Sequence, residues 1–128
     1  MRFLPVFFAV LLFAGSCAKP TAEELAALAA KGYYDHLMKG EYELFLEGKD
    51  GMDSVADDYR EQMLTMFKQF VVLQDRAHRG VHEVRIVSAQ TDTAQKRTDV
   101  FLVLCFGDST NEEVVVPMVE RSDGWKMK

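Results

Sequence analysis

Asp99 to Gly107, DVFLVLCFG, limits how this chain can fold more than any other stretch, because beyond residue 20 it alone is apolar on both faces. Read with a period of two, Phe101, Val103 and Cys105 point one way and Leu102, Leu104 and Phe106 the other. A strand apolar on both sides belongs inside a sheet, with something packed above and below it. The segments before it should supply helices to cover one face, and those after it strands to pair with.

Those segments can be read in turn. Thr21-Ala22-Glu23-Glu24 has the form of a capping box, with Thr21 at the cap and Glu24 at the third helical position. Leu25, Leu28, Ala29, Gly32, Tyr33, His36 and Leu37 follow at helical spacing, and Gly40 is a stop signal. Glu41 to Glu47 predicts a turn or two of helix, broken by Gly48-Lys49-Asp50-Gly51. Asp53 or Ser54 is the expected cap of a third helix running to about Ala77. Its expected apolar face is Val55, Tyr59, Met63, Met66, Phe67, Phe70 and Val71, with the two methionines filling core gaps.

After Gly80 the period becomes alternating. Strands are expected over His82 to Gln90, through the central stretch, over Glu112 to Val119 and at Trp125 to Met127. Thr91 to Lys96, Asp108 to Asn111 and Ser122 to Gly124 supply the turns. Helices followed by an antiparallel meander make an α+β domain.

The amino terminus gives an address. Met1 to Ser16 has one basic residue, an apolar run and small residues ahead of Cys17, the layout of a secretory signal, and the run is too short to span a bilayer. Ala14-Gly15-Ser16-Cys17 resembles a bacterial lipobox, with Ala14 standing where the consensus usually has Leu. That resemblance implies cleavage before Cys17, lipid on its sulfur and an acylated amino terminus, which together hold a protein firmly on a membrane. The alternative is an ordinary signal with an incidental cysteine. The expected organisation is a signal over 1–16, a short tether over 17–20 and one domain over 21–128. Ala18 after the cysteine implies the outer membrane of the cell envelope.

Composition narrows the function classes. The formal net charge is −5 and no cluster of Lys or Arg stands out, which argues against nucleic acid as a partner. Cys105, the second of the 2 cysteines, sits in the most apolar strand, where a thiol behaves as a small hydrophobe.

Tyr33-Tyr34-Asp35-His36-Leu37, Lys39-Gly40-Glu41-Tyr42 and the terminal Asp123-Gly124-Trp125-Lys126 resemble small bacterial lipoproteins of the nuclear-transport-factor-2-like superfamily, many of them from families of unknown function. The resemblance covers roughly residues 21 to 128 and implies a curved sheet wrapped around the helices in a cone, often with a pocket at its open end. It also implies, in many relatives, a dimer formed through the outer sheet face.

Candidate chemistry is sparse. His36, His78 and His82 have no metal-ligand spacing, and His78 and His82 are expected in solvent at a helix exit and a strand start. No phosphate loop, serine elbow or paired-carboxylate signature appears, so neither a cofactor nor a metal is called for and no catalytic residue is assigned. If the cone holds a pocket, its expected lining is Tyr33, His36, Leu37, Tyr59, Phe67, Phe70, Asp99 and Phe101. The reading is an envelope binding or interaction domain, non-catalytic, taking a small apolar ligand in the cone or a protein partner, or a second copy, on the sheet. The alternatives are an isomerase- or cyclase-type enzyme using a pocket carboxylate such as Asp99 or Asp35, and a structural part of an envelope assembly.

Overall fold

The apolar stretch forms strand β2 (Arg97–Phe106), preceded by β1 (Val81–Asp92) and followed by β3 (Asn111–Arg121) and β4 (Gly124–Met127). The four pair in sequence order as one antiparallel meander. Ahead of them come α1 (Ala22–Met38), α2 (Tyr42–Glu47), a short 3₁₀ turn at Met52–Ser54 and α3 (Asp57–His78). This computed structural model describes residues 19–128; the segment expected to be a signal, Cys17 and Ala18 lie outside the described residues.

The faces of β2 are not equivalent. Thr98, Val100, Leu102, Leu104 and Phe106 are buried, while Arg97, Asp99, Phe101, Val103 and Cys105 are half-buried. All three helices contribute to the cluster on the even-numbered face: Ala26, Ala30, Leu37 and Phe45 are buried in it, and Phe67, Phe70 and Val71 pack against it. Removing side chains such as Leu102, Leu104 and Met118 from water stabilises the fold by roughly 1.5–3 kcal/mol each. The expectation that something covers β2 on both sides holds for one side only. On the other, its shelter comes from flanking strands and neighbouring side chains.

The alternation in β1 is broken by a bulge. Ile86 pairs with Leu102 and Ser88 with Phe101, leaving Val87 unmatched and 55% exposed. The extra residue reverses the parity, so Ala89, opposite Val100, turns to the helix side with Val84.

In α1 the capping box forms: Thr21 N donates to Glu24 Oε1 at 2.9 Å and Glu24 N to Thr21 Oγ1 at 3.1 Å. Hydrogen bonding from Thr21, its backbone N–H first and then its hydroxyl, holds the Glu24 carboxyl below its usual range. Gly40, at φ 80°, closes the other end, with Glu41 N donating back to His36 O at 2.9 Å. The buried stripe, however, is Ala26, Ala27, Ala30 and Leu37, while Leu25 and Leu28 are 42% and 58% exposed. Alanines let the helix axis approach the sheet closely, and this rotates the two leucines outward.

α3 also starts and faces differently from its sequence reading. Ala56, with no side-chain cap bond, precedes it, and Ser54 falls in the 3₁₀ turn, its hydroxyl donating to Gly51 O at 3.3 Å. Asp57 and Asp58 occupy the first turn, where they complement the helix dipole. Tyr59 and Met66, expected in the core, are 47% and 58% exposed.

Candidate binding cleft

The segment after α2 was expected only to end a helix, yet it docks on the last strand. Met127 N donates to Gly48 O and Asp50 N to Met127 O, both at 2.7 Å, so residues 48–50 lie alongside β4. Gly48 permits this approach: a Cβ there would sit 2.5 Å from the Tyr33 ring. Tyr33 in turn donates its hydroxyl to Trp125 O at 2.7 Å, linking α1 to the same edge.

This docking opens a cleft of about 520 Å³ between the loop, the start of α3 and the β3–β4 hairpin. Its walls carry Lys49, Arg60, Arg121 and Lys126 against Glu47, Asp50, Asp53 and Asp123. Arg121 grips Asp50 with two bonds, Nε to Oδ1 at 2.9 Å and Nη2 to Oδ2 at 2.6 Å. The guanidinium holds the Asp50 carboxyl below its usual range, and the carboxylate raises the guanidinium's own pKa. Lys126 donates to Glu47 O at 3.2 Å, and Arg60 bonds Glu43 at 2.9 Å. Such walls suit a polar solute carrying both signs; an apolar molecule seated there would desolvate charges without replacing their hydrogen bonds. No group of three or more His, Cys, Asp or Glu among the described residues could hold a metal ion.

The eight residues expected to line a pocket do not meet in one. None lines this cleft or the shallower hollows beside α2 and α3. Leu37 is buried in the core, and Phe67 meets Phe45 edge-on at 4.8 Å while Phe70 packs beside it. Tyr33 is taken up by the Trp125 carbonyl, and Tyr59 faces outward. Asp99 and Phe101 stand on the opposite face of the sheet, where Arg97 Nε donates to Asp99 Oδ1 at 2.9 Å. Parity decides this separation: Phe101 shares a face with Val103, not with Leu102.

The other polar candidates are also engaged at the surface. His36 Nδ1 lies 2.8 Å from Glu41 Oε1, and Lys31 donates to Asp35 at 2.7 Å. His82 is exposed as expected, but His78 is not simply in solvent. Its ring stacks on Phe106 at 4.4 Å and its Nδ1 lies 2.9 Å from Asp108 Oδ2. Thr110, through its hydroxyl and backbone N–H, and His78 together hold the Asp108 carboxyl down at about 2. This cluster clips the exit of α3 to the β2–β3 turn, where Asp108 N also donates to His78 O at 3.0 Å. No local signal in the sequence marked the Asp50–Arg121 pair, whose partners are 71 residues apart.

Helices on one face of a meander, with a loop closing over the last strand, can be compared with known structures. A Campylobacter jejuni protein provisionally named an NTF2-like transpeptidase superposes with a TM-score of 0.61, over 77% of this chain and 92% of that one, at 14% identity. The fold is nuclear-transport-factor-2-like. At that identity the likeness carries the architecture and leaves the activity to each protein. No family model matches the sequence, and no curated protein resembles it.

Proposed function

We propose that this chain is a lipid-anchored interaction domain of the bacterial cell envelope, held on the membrane through Cys17, that binds a protein partner through the outer face of its sheet and is not an enzyme. One observation carries the reading: the helix-covered face is filled, with Ala26, Ala30, Val100, Leu102, Leu104 and Met118 all at 0% exposure, while the opposite face keeps apolar side chains without a cover. There Phe101 pairs with Val115, which is 51% exposed, and Val103, Cys105 and Pro117 adjoin them. Ser88, Gln90, Arg85 and Glu113 in the adjoining register positions form a polar rim, the usual composition of a protein-binding patch. A small apolar ligand in the cone has less support, because Leu102, Leu104 and Met118 on that face are fully buried.

A photoreactive side chain introduced at Val115 in cells tests the reading. It should cross-link one defined protein, while the same group at Thr93 in the β1–β2 turn should not, and Cys17→Ser should release the chain from the membrane fraction. Equal labelling from both positions, or none, refutes the sheet as the binding face. A Cys17→Ser protein that stays on the membrane refutes the anchor.

The charged cleft supports a second reading, a site for a small zwitterionic solute, because Lys49 and Asp53 have no ion-pair partner among the described residues.

A further inference from the structure

Helix α3 is the least covered of the three α-helices. None of its 22 residues is buried. Met63, Phe67, Phe70, Val71 and Gln74 face the body and are half-buried. A second stripe lies outside: Tyr59, Met66 and Leu73 are 47%, 58% and 59% exposed, with Val72 at 37% nearby. Residues seven apart return to nearly the same side of a helix after two turns, the spacing of a helix–helix seam.

Two shallow grooves follow the outer side of this helix, each lined by α3 alone. Asp58, Glu61, Gln62, Thr65 and Met66 line the first. Thr65, Lys68, Gln69, Val72, Leu73 and Arg76 line the second. The first is acidic, the second basic, and they meet at Thr65. A helix with acid in its first half and base in its second is complementary to itself run in the opposite direction.

We propose that α3 packs antiparallel against α3 of a second copy of this chain, with Tyr59, Met66 and Leu73 in the seam. A two-fold axis crossing near Phe67 sets Asp58 level with Arg76 of the second copy and brings the two Met66 side chains within one turn of each other. Asp75, the exception in the basic half, then falls level with Tyr59 and not with a carboxylate. A parallel pair would instead set the acidic halves side by side, and an anionic membrane surface would repel Asp57, Asp58 and Glu61. This interface is separate from the sheet face proposed above, and neither depends on the other.

Sedimentation equilibrium of the full chain in density-matched detergent tests the proposal. The unaltered chain should form a two-chain species at micromolar concentration. Met66→Lys with Leu73→Lys should raise the dissociation constant roughly tenfold or more, because each change enters the interface twice. Both positions are more than half exposed, so circular dichroism should remain that of the parent. Arg76→Asp alone should weaken the pair, and adding Asp58→Arg should restore it. A chain that stays single, a pair indifferent to the two lysines, or a double charge exchange no tighter than Arg76→Asp alone would each overturn the antiparallel α3 dimer.

Discussion

Replacing Phe45 with alanine removes a ring through which α2 holds both of its neighbours. Phe45 is 6% exposed and meets Tyr34 of α1 at 5.3 Å and 88°, and Phe67 of α3 at 4.8 Å and 87°. Truncating a buried phenylalanine costs about 3–5 kcal/mol, and edge-to-face pairs contribute roughly 0.5–1.5 kcal/mol each beyond the buried area. α3 buries no residue of its own and is otherwise held by the half-buried Phe70 and Val71 and by surface bonds at its ends, so the loss should lie near about 4 kcal/mol, a large share of the roughly 5–15 kcal/mol typical of a domain. Phe45→Leu keeps most of the apolar volume but gives up both ring edges, for a loss of about 1–2 kcal/mol. Urea unfolding of the parent and both variants gives these differences, and hydrogen exchange reads α3 directly. The alanine variant should lose amide protection over Asp57–His78 before it does in β2. A loss below about 1 kcal/mol for Phe45→Ala, or α3 protection unchanged in either variant, would refute Phe45 as the link.

Gly48→Ala should lower stability by about 1–3 kcal/mol, because its Cβ would sit 2.5 Å from the Tyr33 ring and displacing that ring strains the bond to Trp125 O; thermal unfolding with near-ultraviolet circular dichroism checks this. Thr21→Ala should cost about 1 kcal/mol by removing half of the capping box, seen as a lower urea midpoint with the slope unchanged. Asp108 adds a pH dependence of known sign. Its folded pKa is held at about 2, below the ordinary 3.8, so the unfolded chain takes up the proton first as the pH falls. Its contribution is therefore complete above the usual carboxylate range and is lost as the pH falls toward about 2. Asp108→Asn should flatten that part of the curve of urea midpoint against pH, and an unchanged curve would show that Thr110 and His78 do not hold the carboxylate.

The meander was legible in the sequence because its signals are local. A run apolar on both faces marked β2, Thr21 and Glu24 marked the start of α1, and Gly40, Ser109 and Gly124 sit at positive φ in the places where turns were expected. Which face a helix buries was less legible. Leu25, Leu28, Gly32 and His36 keep helical spacing as well as Ala26, Ala30, Tyr33 and Leu37 do. Hydrophobicity favours the leucines, whereas close approach to the sheet favours the alanines, and the approach distance is a tertiary property. The outer stripe of α3 was merged with its inner one for the same reason, since Met66 and Phe67 are adjacent in sequence and only the position of the body separates them. The bulge at Val87 and the docking of residues 48–50 on Met127 depend on strands distant in sequence, and the cleft exists only because of the second of these. The expected pocket failed on parity: Asp99 and Phe101 were grouped with residues from the other side of the sheet.

Leu102, Leu104 and Met118 fill the centre of the helix-covered face, and the binding proposed for this chain lies on the outside. Native mass spectrometry of the full chain, purified from cells in mild detergent with no ligand added, tests this most directly when its mass is compared with that of the same sample after denaturation. The predicted result is a native mass equal to a whole number of copies of the denatured chain, any covalent lipid included, with no further small molecule in stoichiometric amount. A co-purified apolar molecule bound one per chain, and displaced by Leu102→Phe in the core, would contradict the account and move the binding site to the helix-covered face of the sheet.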